Sequence, residues 1–150
     1  MHGTVVDVKH CLCSKSLYSL LAPSVFNPTP ERLFSLAQRY QKDERTKVCA
    51  YWDDREYRGI IVFEIADRVA TILHIAVKHE HRGNGIGSRL VHHLFDCFHV
   101  RKIIAETDDD AVDFYRKCGF SIADTTMKFD TKRYICICKS KTDYLYYTAE

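Results

Sequence analysis

Apolar and polar residues alternate from Thr4 to Lys9, the period of a half-buried strand, and this short run predicts an edge strand. From Lys15 to Ala22 the period changes, and Leu17, Leu20 and Leu21 fall on one side of a helix. The stretch from Pro23 to Pro30 breaks that pattern. Thr29 followed by Pro30 then marks a helix start, with threonine as N-cap, proline at the first helical position and a stripe of Leu33, Leu36, Ala37 and Tyr40. Three strand-like runs follow, Val48–Trp52, Tyr57–Ile65 and Val69–Val77, joined by the polar turns Asp53-Asp54-Arg55 and Ala66-Asp67-Arg68. Links this short predict an antiparallel meander. Ile86, Leu90, Leu94 and Phe98 recur every fourth residue, a helix burying one face. A strand over Lys102–Ala105, a helix over Asp109–Lys117 closed by Gly119, and strands over Phe120–Phe129 and Arg133–Cys138 complete the pattern. This order of elements defines an α/β domain with a mixed sheet.

A chain of 150 residues fits one domain, 1–150, with 139–150 as a peripheral tail. With 22 basic and 20 acidic residues the formal net charge is +2, and no basic stripe points to nucleic acid. The N-terminus carries no apolar leader run, and no stretch reaches the ~18 apolar residues of a membrane span, so the expected location is cytoplasmic. The seven cysteines are scattered and odd in number, which argues against a disulfide framework. Cys136 and Cys138 lie on one face of a strand and read as small core residues, and neither C-x-C pair has zinc spacing. No metal is expected.

The segment that carries chemistry runs from Leu73 to Leu90. A strand enters a loop with three glycines, Gly83, Gly85 and Gly87, and a helix begins at once. Glycines let a bulky anion approach the backbone N–H groups, the helix N-terminus adds partial positive charge, and Arg82 adds a full one. The combination suits a pyrophosphate. The spacing G-x-G-x-G fails the dinucleotide fingerprint, and the absence of G-K-[ST] excludes the nucleoside-triphosphate loop.

The arrangement resembles the GNAT superfamily of N-acetyltransferases, whose signature is Q/R-x-x-G-x-G/A after a strand. Arg82, Gly85 and Gly87 fill it, with Gly83 as an added glycine. Ala111 to Phe120 is similar to the second family motif, A-x-x-x-Y-x-x-x-G-F. The resemblance implies a six- to seven-stranded, mostly antiparallel sheet flanked by helices, its fourth and fifth strands splayed around acetyl-CoA. Main-chain groups of Ile75 and Val77 would meet the pantetheine arm. The amides of Gly83, Asn84, Gly85, Ile86, Gly87 and Ser88 would hold the pyrophosphate. The implied reaction is direct attack of an amine on the thioester.

That reaction needs an acid, a base and a stabilised oxyanion. Tyr115 matches the family tyrosine and is the candidate acid, since a phenol stays protonated at neutral pH. Some relatives place a basic glutamate where Thr71 stands here. Glu106, at the end of the fifth strand, is the candidate base, with His74 and Glu64 as alternatives. His74 also reads as a core histidine. Asp108 replaces a frequent family asparagine and keeps a helix-capping role. His79, Glu80, His81, His92 and His93 read as surface residues. Asp43, Glu44, Asp53, Asp54 and Glu56 form a locally acidic stretch that suits a cationic acceptor or a solvated turn. The implied acceptor is a small-molecule or peptide amine, and tail tyrosines Tyr144, Tyr146 and Tyr147 suit packing on a partner subunit, as in a homodimer, or back on the domain. A catalytically silent acyl-CoA-binding module is the rival reading.

Overall fold

The computed structural model describes residues 3–141, so the tail tyrosines lie outside the described residues. The strands are β1 (Thr4–Asp7), β2 (Thr46–Trp52), β3 (Tyr57–Ala66), β4 (Val69–Val77), β5 (Lys102–Thr107), β6 (Ser121–Lys128) and β7 (Thr131–Lys139). The helices are α1 (Lys15–Tyr18), α2 (Pro30–Lys42), α3 (Ile86–Phe98) and α4 (Val112–Lys117). Strand order is β1-β2-β3-β4-β5-β7-β6, in one sheet of seven strands. Its β1–β2, β2–β3, β5–β7 and β6–β7 pairs are antiparallel and its β4–β5 pair parallel. The α/β class, the mixed sheet and the edge position of β1 agree with the sequence pattern.

By contact density the chain forms two compact units, residues 3–64 with 73–93, and residues 65–72 with 94–141. In the first, β3 carries five consecutive buried residues, Gly59 to Phe63. Val48, Ala50, Ile60, Val62 and Ala76 form one core with Leu17, Leu21, Leu33 and Ala37. The register pairs Val48 with Val62 and Ala50 with Ile60, so each contributes to that face. On the other face, a Cβ placed on Gly59 would lie 3.0 Å from Ile86 Cγ2 and 3.2 Å from Leu90 Cδ1. Glycine at 59 thus seats the start of α3 close against the strand.

In the second unit, β4 and β5 pair over Val69–Thr71 and Lys102–Ile104. β7 sits between β5 and β6, with Cys136 and Cys138 buried on one face as their spacing required. All seven cysteines are free thiols.

Two helices differ from the sequence expectation. Lys15–Ala22 is not one helix: α1 stops at Tyr18 and a 3₁₀ segment runs from Ser19 to Ser24. Pro23 lies inside that segment and cannot supply the N–H an α-helix would need there. The Asp109–Lys117 helix begins only at Val112. Asp108 Oδ1 accepts from the amides of Asp110 and Ala111 at 3.0 and 3.1 Å, holding the preceding residues in a turn. The hairpin tips Asp67-Arg68 and Phe129-Asp130 have both residues at positive φ, the geometry that matches strand twist in two-residue loops. The N-cap of α2 is as expected, with Thr29 Oγ1 accepting from Arg32 N–H at 3.2 Å.

The end of α4 accounts for the spacing of the second motif. Phe120 N–H donates to Tyr115 O at 3.0 Å and Gly119 N–H to Arg116 O at 3.1 Å, the paired bonds of a Schellman cap. Gly119 adopts φ +97°, and the Tyr115 and Phe120 rings meet edge to face at 5.2 Å. A Cβ at Gly119 would meet Cys138 Sγ at an ordinary 3.8 Å, so its cost is conformational. Gly119→Ala is therefore expected to lower unfolding free energy by about 1–2 kcal/mol, measured by denaturant titration.

Candidate active site

The first unit carries a continuous strand–turn–helix element. β4 delivers Ile75 and Val77; a 3₁₀ turn over His79–His81 reverses the chain; and Arg82, Gly83, Asn84 and Gly85 lead into Ile86, Gly87 and Ser88 at the start of α3. Residues 82–85 are exposed, and Ile86 and Gly87 are buried. Gly83 and Gly85 adopt φ +84° and +79°, and a Cβ on either would meet nothing within 4 Å. Glycine is demanded here by backbone conformation and not by crowding, and the space before the loop is open to a ligand. The ladder of α3 opens with Arg89 N–H donating to Gly85 O at 3.0 Å, so the amides of Ile86 to Ser88 precede it at the positive end of the helix. Arg82 Nε donates to Val77 O at 3.1 Å, which ties the guanidinium to the end of β4. Arg89 lies over the Tyr51 ring at 5.2 Å and donates to its hydroxyl at 3.3 Å. A group of shape-demanding but open left-handed glycines beside a helix N-terminus fits an anionic diphosphate.

The same unit holds a hydrogen-bond chain that the sequence did not predict. Ser24 Oγ donates its single proton to Leu21 O at 2.8 Å, so it accepts from His74 Nδ1–H at 3.1 Å. His74 Nε2 is then an acceptor and takes the Tyr40 O–H at 2.8 Å. Burial holds the His74 imidazole below its ordinary pKa and pushes the Tyr40 phenol up. The histidine is thus neutral with a fixed tautomer.

The acidic stretch is largely committed within the chain. Asp43 pairs with Arg45 at 3.5 Å, Asp53 pairs with Arg58, and Glu56 pairs with Lys78 at 3.3 Å and His81 at 3.0 Å. His81 is accordingly half-buried and not a plain surface residue, while His79 and Glu80 are exposed. Among the described residues no group of three or more His, Cys, Asp or Glu side chains is arranged to hold a metal ion.

In the second unit, the Tyr115 side chain is buried and packs against the rings of Phe114 at 5.1 Å and Phe120 at 5.2 Å. Burial, with a smaller contribution from Cys136 and Cys118, pushes its phenol far above the ordinary value. Glu106 lies exposed on β5, its carboxylate 3.2 Å from Lys128 Nζ and 3.2 Å from Arg133 Nε. Those partners, Lys128 first, hold it below the usual carboxylate pKa. Tyr134 donates to Asp109 in the same region.

These features have counterparts among known proteins. A family model described as the acetyltransferase (GNAT) family matches residues 14–120, and the chain belongs to that family. Among solved structures, the ribosomal-protein-S18-alanine N-acetyltransferase of Escherichia coli is 17% identical, with a TM-score of 0.72 over 92% of this chain and 94% of that one. A spermidine N-acetyltransferase chimera from Vibrio cholerae is 17% identical, with a TM-score of 0.74 over 97% and 99%. A Bacillus anthracis protein named as a streptothricin acetyltransferase, solved with acetyl coenzyme A, is 21% identical with a TM-score of 0.60 over 69% and 68%. At these identities the likeness is one of fold. No helix among the described residues is long and apolar enough to cross a membrane.

The buried histidine makes a pH prediction. As pH falls through about 6.5, the unfolded chain takes up a proton on His74 that the folded protein resists. Stability is thus expected to fall from that pH downward until the folded histidine itself charges. His74→Gln should flatten this part of a melting-temperature series between about pH 7.5 and 5.

Proposed function

We propose that the protein transfers the acetyl group of acetyl-CoA to a primary amine by direct attack in a ternary complex. The observation that carries this reading is the loop before α3. Two left-handed glycines, an anchored Arg82 and the amides of Gly83 to Ser88 form a diphosphate cradle, in a chain of the GNAT acetyltransferase family. Ile75 and Val77 supply main-chain groups to pantetheine. Both units are read as parts of one catalytic domain, and the setting as cytoplasmic.

Tyr115 serves as the acid that protonates the departing thiolate by its place in the second motif, and its burial keeps the phenol protonated until that thiolate forms while making it a weaker donor. Glu106 is the less suitable base: two cations stabilise its charged form, which weakens its pull on a proton. His74 is better placed by geometry, since its neutral Nε2 already accepts the Tyr40 hydroxyl and a proton taken up by Tyr40 would pass to the imidazole, while its burial disfavours the imidazolium and so weakens it as a base too. The acceptor is read as a small-molecule or peptide amine. Similar folds act on spermidine and on a protein's alanine. Asp43, Asp53 and Glu56 are neutralised by the chain's own cations, which favours an acceptor with one amine over a polycation.

Calorimetric titration is expected to show acetyl-CoA and CoA binding with no ATP binding. Gly85→Val, which forces a β-branched residue to φ +79°, should abolish that binding in a folded protein. Unchanged affinity would remove the loop from the cofactor site. Once an acceptor is found by thiol-release screening, Tyr115→Phe should lower turnover by about 10²-fold or more with little change in acetyl-CoA affinity, and Glu106→Gln by less than about ten-fold. Equal turnover for Tyr115→Phe would exclude it as the acid, leaving an acyl-CoA-binding module as the better reading if no amine is acetylated.

A further inference from the structure

The exposed glycine loop offers few side chains whose packing could hold it in shape. Gly83 and Gly85 face open space, and Gly83, Asn84 and Gly85 are exposed. Chain of this kind has many conformations available, and a diphosphate that must first order it binds weakly. One end of the loop is fixed, because Ile86 is buried and packs at the Gly59 position of β3. The other end emerges from the 3₁₀ turn His79–His81, which is short and partly exposed. Arg82 ties this end to β4 through Val77 O at 3.1 Å, and a second restraint acts on the turn itself.

Glu56, in the turn between β2 and β3, reaches that end. Its Oε2 lies 3.3 Å from Lys78 Nζ, at the start of the 3₁₀ turn, and its Oε1 accepts from His81 Nε2 at 3.0 Å, at the last residue of the turn. Glu56 thus spans the turn and grips it one residue before Arg82. The carboxylate is itself positioned. Asp53 Oδ1 accepts the amides of Arg55 and Glu56 at 3.0 and 2.8 Å, and Asp53 pairs with Arg58. Arg58 Nε stands 3.9 Å from Glu56 Oε1, and Arg58 O accepts the Lys78 amide at 2.9 Å. Two charge-assisted contacts from one carboxylate to residues 78 and 81 restrain the turn's two ends together.

We propose that Glu56 is a positioning residue for the acyl donor: through Lys78 and His81 it pre-orders the loop from Arg82 to Ser88 that receives the diphosphate. This rests on the acetyl-CoA reading of that loop for its consequence, but not for the ordering itself. A residue 25 positions before His81 in the chain therefore acts on cofactor affinity without touching the cofactor.

The test uses the full chain and two readouts. In the ligand-free protein, Glu56→Gln should speed hydrogen exchange at the amides of residues 82–88, while β2, β3 and α2 keep their protection. By calorimetry, its acetyl-CoA Kd should rise about three- to ten-fold, with the unfolding midpoint unchanged. His81→Leu should act like Glu56→Gln, the double variant should be little worse than either single one, and His81→Gln, which keeps a donor toward Glu56, should recover most of the affinity. Unchanged loop exchange in Glu56→Gln would overturn the proposal, as would additive effects in the double variant or a Kd change matched by global destabilisation. Faster loop exchange in Glu56→Gln, together with a wild-type protein that does not bind acetyl-CoA, would instead sink the donor reading and leave the clamp standing.

Discussion

The burial of β3 on both faces constrains the rest of the first unit. Five consecutive buried residues, Gly59 to Phe63, cannot be half-solvated as in an open antiparallel sheet, so each face must be covered. Ile60 and Val62 are covered with Leu17, Leu21, Leu33 and Ala37 from the N-terminal helices. Gly59 admits Ile86 and Leu90 at close range on the opposite face. The first turn of α3 is thereby placed by packing, and with it the amides that precede the helical ladder. The N-terminal amides of a helix are only as well placed as its first buried residue, here Ile86.

A comparable economy governs α4. The motif spacing from Tyr115 to Gly119 and Phe120 is the spacing of a helix C-terminus: the tyrosine supplies the carbonyl, the glycine the left-handed residue and the phenylalanine both the amide and the apolar contact. The same phenylalanine that closes the cap packs its ring edge to face on the tyrosine ring. A tyrosine whose backbone and ring are both held has little rotational freedom left.

Local pattern carried most of the fold. The bounds of β4, Val69–Val77, and the α3 face through Ile86, Leu90 and Leu94 were legible because their periods are strict and long. The glycine loop was legible because few sequences place Gly83, Gly85 and Gly87 between a strand and a helix. Errors fell where side chains compete with the period: Pro23 tightens the end of α1 into a 3₁₀ segment, and Asp108 captures the amides that α4 would have used. Polar networks were not legible. Ser24, Tyr40 and His74 lie up to 50 positions apart, and Glu56 and His81 lie 25 apart. Such pairs follow from the register of distant elements, and no local spacing encodes them.

Charge around the loop is largely self-neutralised. Asp53, Glu56, Arg58, Lys78 and His81 contact one another, so their fields largely cancel at a distance. A phosphate drawn to a long cationic side chain would require that side chain to be immobilised, losing up to about 2 kcal/mol of rotamer entropy. Amides at a helix start are already oriented, carry partial positive charge and keep it over all pH values. Their weakness is the freedom of the glycines that expose them. A self-neutralised cluster beside the turn before the loop adds no competing charge there.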